Sequence, residues 1–180
     1  MRRLPRKKFA GFAVVLGAVS LAVLPACRFT SSDELKNSIE LLDLETKWVS
    51  KYYQPWPPRL ILVPPLSFRV KNTGSKALNY VNFNAVFNFK GERENLGDAF
   101  LAAIRGKAVA PGETSPVIVL KSNLGVDGKD LENIRENPEW KPTEVRLFAI
   151  SRGSQPVLLG VFDVSREIDF KEPEPVEIKK

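Results

Sequence analysis

The chain has 180 residues, which at roughly 100–200 residues per domain means one domain with extensions. It holds no histidine and one cysteine, so imidazole acid–base chemistry, an internal disulfide and cysteine- or histidine-clustered metal sites are excluded. The net charge of +6 misleads, because residues 1–26 carry Arg2, Arg3, Arg6, Lys7 and Lys8 and no acid. The remainder has 22 basic against 21 acidic residues, a net of +1. A nucleic-acid binder needs a basic face on its folded part, so nucleic acid is not an expected partner.

Residues 1–26 have the layout of a secretory signal peptide. A basic stretch over 2–8 precedes an uncharged run over 9–26. The apolar part, 9–24, is 16 residues long, shorter than the ~20 that a spanning helix needs. An uncleaved signal anchor is the alternative; twin-arginine export fits poorly because Pro5 and further basic residues follow Arg2-Arg3. The sole thiol, Cys27, comes next. Leu24-Pro25-Ala26-Cys27 resembles the bacterial lipobox, with an aliphatic residue at −3, a small one at −1 and Pro25 at −2. The resemblance implies that Cys27 is the lipid attachment site of a lipoprotein: the thiol is diacylated with palmitate-type chains, the leader is cut before the cysteine, and the new amine is usually acylated too. Two or three such chains bury enough CH₂ groups, at about 0.8 kcal/mol each, for stable membrane attachment. By the same resemblance, Arg28 in place of an aspartate implies the outer membrane, facing the periplasm. An ordinary leader followed by an unrelated cysteine is the alternative.

The mature chain divides into a tether over 27–37, a folded domain over 38–170 and a flexible tail over 171–180 rich in charge and proline. The segment 39–49 is expected to open the fold as a strand, its Leu41-Leu42 doublet marking a bulge or a short helix. Tyr52-Tyr53-Gln54-Pro55-Trp56-Pro57-Pro58 is too rich in proline for a central strand. Leu66, Phe68 and Val70 alternate with polar neighbours, and the turn 72–76 leads into the clearest strand, 78–89. There Val81, Phe83, Ala85, Phe87 and Phe89 alternate with Asn82, Asn84, Val86 and Asn88, which gives one apolar face and one amide face. An apolar run over 100–109 reaches a Pro-Gly turn at 110–113, and 114–120 reads as the next strand. The one expected helix is 131–137, ended by Pro138. Segments 143–151 and 157–165 form a hairpin, and 167–170 could extend its second strand. Some seven strands with closely spaced turns predict an all-β fold, a two-sheet immunoglobulin/fibronectin III-like sandwich with one short helix.

The run VKNTGSKALNYVNFNAVFNFKGE, followed by APGETSP and a strand, resembles the FxLYD and late-embryogenesis-abundant type 2 sandwiches, which are fibronectin type III-like. Phe87-Asn88-Phe89-Lys90-Gly91 occupies the FxLYD position, and the likeness spans about residues 60–122. It implies an exported β-sandwich from families that generally bind or space rather than catalyse.

No catalytic signature emerges. Without histidine no Ser-His-acid triad can form, and no Ser-x-x-Lys string or phosphate loop occurs. Glu92, Glu94 and Asp98 lie among Lys90 and Arg93 and read as a solvated loop rather than an acid–base pair. Asp127, Asp130 and Glu132 lack calcium-loop spacing; a turn at Asp127-Gly128 and a helix cap at Asp130 explain them. The amide row Asn82, Asn84 and Asn88 reads as a solvated sheet face. Tyr52, Tyr53 and Trp56 are the candidate partner-contact residues, because stiff aromatics bind at small entropic cost; capping one open end of the sandwich is their alternative role. The expected function is a non-enzymatic, membrane-anchored envelope lipoprotein acting as a binding or interaction module, with no cofactor or metal. Its expected partners are the membrane, through lipid on Cys27, and another envelope protein. The alternatives are a carbohydrate- or lipid-binding module using the Tyr52–Trp56 surface, and a hydrolase using carboxylates alone.

Overall fold

The computed structural model describes residues 31–173. Its elements in chain order are α1 (Ser32–Asn37), β1 (Ile39–Thr46), β2 (Trp48–Pro55), β3 (Pro58–Val63), β4 (Pro65–Asn72), β5 (Val81–Phe89), β6 (Asn95–Ile104), β7 (Ile118–Lys121), β8 (Val126–Gly128), α2 (Leu131–Glu136), β9 (Thr143–Ile150), β10 (Val157–Asp163) and β11 (Ile168–Asp169). Among the described residues no helix is long and apolar enough to cross a membrane.

The strands form an all-β sandwich. One layer has the order β1-β4-β7 and the facing layer β10-β9-β5-β6. The chain changes layers from β4 to β5, back from β6 to β7, and again before β9. That Greek-key winding is what a fibronectin III-like sandwich requires. A third sheet, β11-β2-β3-β8, prolongs the first layer, since β1 runs into β2 across Lys47 alone and β3 into β4 across Pro64 alone. Proline has no N–H to give to a ladder, so the pairing lapses at Pro64 and resumes on either side.

Period-two patterning decides what is buried. In β5, Val81, Phe83, Ala85 and Phe87 point into the core, each at most 1% exposed. Phe68 of β4 meets Phe83 edge-on at 5.2 Å and so joins the two layers. Below them, Trp48 packs edge-on against Trp140 at 6.1 Å under the third sheet. The doublet Leu41-Leu42 does mark a bulge: the β1–β4 register shifts between Leu42 and Glu45, and Asp43 takes φ 51°. Asn72 closes the turn after β4. Its side chain donates to the carbonyls of Lys76 and Val109, both at 2.8 Å, and accepts from the Gly74 amide at 2.9 Å.

Several local expectations are corrected. Among the described residues the fold has two short helices, not one. α1 lies in the segment read as tether: Ser31 caps it by accepting from the Glu34 amide at 3.1 Å, and Leu35 is buried against the sandwich. Asp127-Gly128 is not a turn but part of β8, paired with Leu60 and Ile61 of β3. β7 starts at Ile118 rather than at residue 114, because Pro116 cannot donate to the ladder. β11 does not prolong β10; it crosses to the third sheet and pairs parallel with Trp48 and Val49. α2 forms where expected, with the Asp130 side chain accepting from the Asn133 amide at 2.7 Å.

Candidate functional site

The proline-rich aromatic segment is the end of a hairpin. Tyr53 pairs with Leu60, Gln54 with Arg59 and Pro55 with Pro58, leaving Trp56-Pro57 as the turn, joined by a cis peptide bond. Tyr52 and Gln54 share one face of β2, where the tyrosine hydroxyl donates to Gln54 Oε1. Gln54 Nε2 in turn donates to the Trp56 carbonyl at 2.9 Å, which stiffens the tip. Trp56 itself is 85% exposed and so does not cap the sandwich. Tyr53 faces the other way and lies 5.4 Å from the Phe170 ring, so it packs. The structure thus brings Tyr52 and Trp56 together at an exposed tip and assigns Tyr53 to packing. Beside them Arg59 donates to Asp127 Oδ2 at 2.7 Å, and that hydrogen bond with its charge raises the guanidinium above its ordinary pKa.

Chain direction sets the distance between this tip and the N-terminal end. Ser32 Oγ donates to the Gln155 carbonyl in the β9–β10 turn, at the end where β1, β5 and β10 begin. From there β1 and β2 run, at ~3.3 Å per residue, through roughly 50 Å of strand before reaching Trp56. Cys27 lies outside the described residues.

Four of the carboxylates singled out above are engaged in pairing or capping. Glu92 accepts from Lys141 at 2.7 Å, Asp98 from Asn123 Nδ2 at 2.7 Å and Asp127 from Arg59, while Asp130 caps α2. Among the described residues no three of His, Cys, Asp and Glu gather where they would hold a metal ion. The amide row is less solvated than its sequence suggests. Asn84 sits between Phe148 of β9 and Phe100 of β6, and its Oδ1 is buried without a protein partner. Asn88 is buried and donates to Asn95 Oδ1 at 2.6 Å. Around them Phe100, Leu158 and Val161 leave apolar surface exposed.

A second feature had no signal in the sequence. Among the described residues β6 and β7 are the free edges of the two layers on the same side of the sandwich, and between them lies a groove of about 460 Å³. Ile104, Val109 and Ile118 form its buried floor, and Leu101, Ala103, Val117 and Val119 contribute to its walls. Arg105 and Lys107 stand on its lining just past the end of β6, at the N-terminal end of the sandwich. Arg105 also borders an adjoining depression of about 370 Å³ with Tyr80, Asn82, Ala102 and Arg152, where Arg152 lies 5.5 Å above the Tyr80 ring.

No protein-family model matches the chain, and no curated protein matches it in sequence. Among solved structures it is similar to a Bordetella pertussis protein, a candidate ApaA, at 15% identity and TM-score 0.38, over 71% of this chain and 94% of that one. An Archaeoglobus fulgidus protein is similar at 14% identity and TM-score 0.33, over 69% of this chain and 92% of the other. A β-glucosidase from Kluyveromyces marxianus is similar at 17% identity and TM-score 0.27 over 69% of this chain, which spans 14% of the enzyme. Likenesses this distant assign the chain neither a family nor an activity.

Proposed function

We propose that the chain is a lipoprotein of the bacterial cell envelope, anchored through Cys27 to the outer membrane, whose non-enzymatic sandwich contacts another envelope component with its Tyr52–Trp56 tip. One observation carries this reading: the N-terminal end and the exposed aromatic tip lie at opposite ends of the molecule. Cys27 precedes Ser31 by four residues, at most about 14 Å of extended chain. A lipid there would hold the α1 end against the bilayer and present Trp56 away from it. Arg105, Lys107 and Arg152 lie at the end that would face the lipid headgroups, where each basic residue near an anionic surface contributes about 1 kcal/mol. Trp and Tyr dominate binding hot spots, which suits a rigid tip carrying both. The likeness of residues 60–122 to FxLYD-type sandwiches points in the same direction.

Two experiments test it separately. Metabolic labelling with a radioactive fatty acid should mark the wild-type chain and not Cys27→Ser, which should also leave the detergent phase; label retained by the variant refutes the anchor. Affinity recovery of the anchored protein from native membranes should return an envelope protein that Trp56→Ala no longer recovers. Undiminished recovery by a folded Trp56→Ala variant removes the tip from the function.

A further inference from the structure

We propose that the groove between β6 and β7 binds a single-chain anionic amphiphile, with its aliphatic tail between the layers and its carboxylate or phosphate on Arg105 and Lys107. The groove is where the sandwich fails to close. Leu101 pairs with Phe83 and shares its inward-facing side, yet it remains 40% exposed, because among the described residues no strand follows β6 on that edge. Ile104, Val109 and Ile118 underneath already belong to the core. A tail lying on them extends the core sideways and removes Leu101, Val117 and Val119 from water. The volume falls within the ~300–1,000 Å³ usual for ligand pockets.

The lining selects the chemistry. It contains no aromatic ring for stacking against a sugar. Its buried hydroxyl, Ser115, is already used, accepting from the Val70 amide at 3.0 Å and donating to the Pro116 carbonyl at 2.8 Å. The one carboxylate on the lining, Glu113, accepts from the Ala110 amide at 3.1 Å. Charge supplies the head group's sign. Lys47, Arg59, Lys76, Lys90 and Lys141 each meet a carboxylate within 3 Å, whereas Arg105 and Lys107, like the exposed Arg93 and Lys129, have no acidic partner among the described residues, and of these four only Arg105 and Lys107 stand on the groove's lining. Both are exposed and flank Gly106, so they are free to close on an anion. An added peptide strand suits the edges less well. β7 offers four residues behind Pro116, and the pairing of β6 shifts register twice. Proline and bulges of this kind blunt sheet edges against strand addition.

The proposal does not depend on the lipid on Cys27, and its test leaves that residue unchanged. The purified full chain is equilibrated with a photoreactive diazirine analogue of palmitate, irradiated and digested, and the adducts are located by mass spectrometry. Adducts should concentrate on residues 101–119. Unlabelled palmitate or lysophosphatidylglycerol should compete, the stronger competitor naming the head group, and palmityl alcohol should compete at least five-fold less well. Arg105→Glu with Lys107→Glu, both exposed and so harmless to folding, should lower labelling at least three-fold; Ala103→Trp, which fills the groove, should abolish it. Labelling spread over the surface or centred on Trp56 would overturn the proposal, as would competition by the alcohol equal to that by the acid. Displacement of the probe by an apolar peptide but not by palmitate would assign the groove to a strand instead.

Discussion

Trp48 and Trp56 begin and follow the same strand, yet one is 1% exposed and the other 85%. Trp48 has covering chain to pack against: Trp140, from the connection between α2 and β9, meets it edge-on, and Arg166 lies 4.3 Å over the Trp140 ring. Trp56 has none, because the hairpin has by then outrun the facing sheet and its prolines stop it from pairing further. The two residues share chemistry and flank the same strand, so what separates a core tryptophan from a contact tryptophan here is whether other chain covers it. Hydrophobicity alone does not distinguish them.

That contrast can be broken or sharpened by substitution. The largest effects belong to the covered rings: Trp48→Ala and Phe87→Ala should each destabilise by roughly 3–5 kcal/mol in denaturant melts, the range for a buried aromatic truncated to alanine. A loss under about 1 kcal/mol for Trp48→Ala would mean that the third sheet adds no core of its own. Next comes Asn72→Ala, which leaves the Lys76 carbonyl and the Gly74 amide without their side-chain partner, while the Val109 carbonyl keeps its bond from the Leu78 amide at 2.9 Å, and should cost about 1–3 kcal/mol in the same melts. Tyr53→Ala, losing the Phe170 contact and a half-buried ring, should cost roughly 1–2 kcal/mol. Trp56→Ala should change stability by no more than about 0.5 kcal/mol, as exposed positions do. Equal losses at residues 53 and 56 would erase the division of the tip into packing and presenting sides.

The sandwich was legible where alternation is strict. β5 announces its buried face with Val81, Phe83, Ala85 and Phe87, and β9 with Val145, Leu147 and Ala149. The hairpin of β9 and β10 follows from its Gly-containing turn, and α2 from Asp130 and Pro138. Less could be read where a residue's role depends on distant chain. Ser31 and Glu34 have the spacing of a helix cap, but whether α1 forms turns on Leu35 finding the sandwich. β8 is set by the unpaired edge of β3, which Asp127-Gly128 alone does not reveal. The tip residues were identifiable from composition, yet their sorting required the face on which Phe170 sits. The groove left no trace at all, since Leu101 and Val119 belong to strands in different layers and look like ordinary strand residues until both edges are seen to be free.

The uninterrupted path from β1 through Lys47 into β2 has a mechanical consequence. If the chain is held at its N-terminus and pulled at Trp56, the load runs along the strand axis. Ladder hydrogen bonds lie perpendicular to antiparallel strands. Both points lie on one extended strand path, so the covalent backbone of β1 and β2 carries that load directly, and the rungs to β4 and β3 are neither unzipped nor drawn past one another. Pro64 and the bulge after Leu42 interrupt this ladder, which resumes beyond each of them. The long bent hairpin is in this sense a tie-rod between the two ends of the molecule, strongest along the line on which an anchored protein gripping a partner would be stretched.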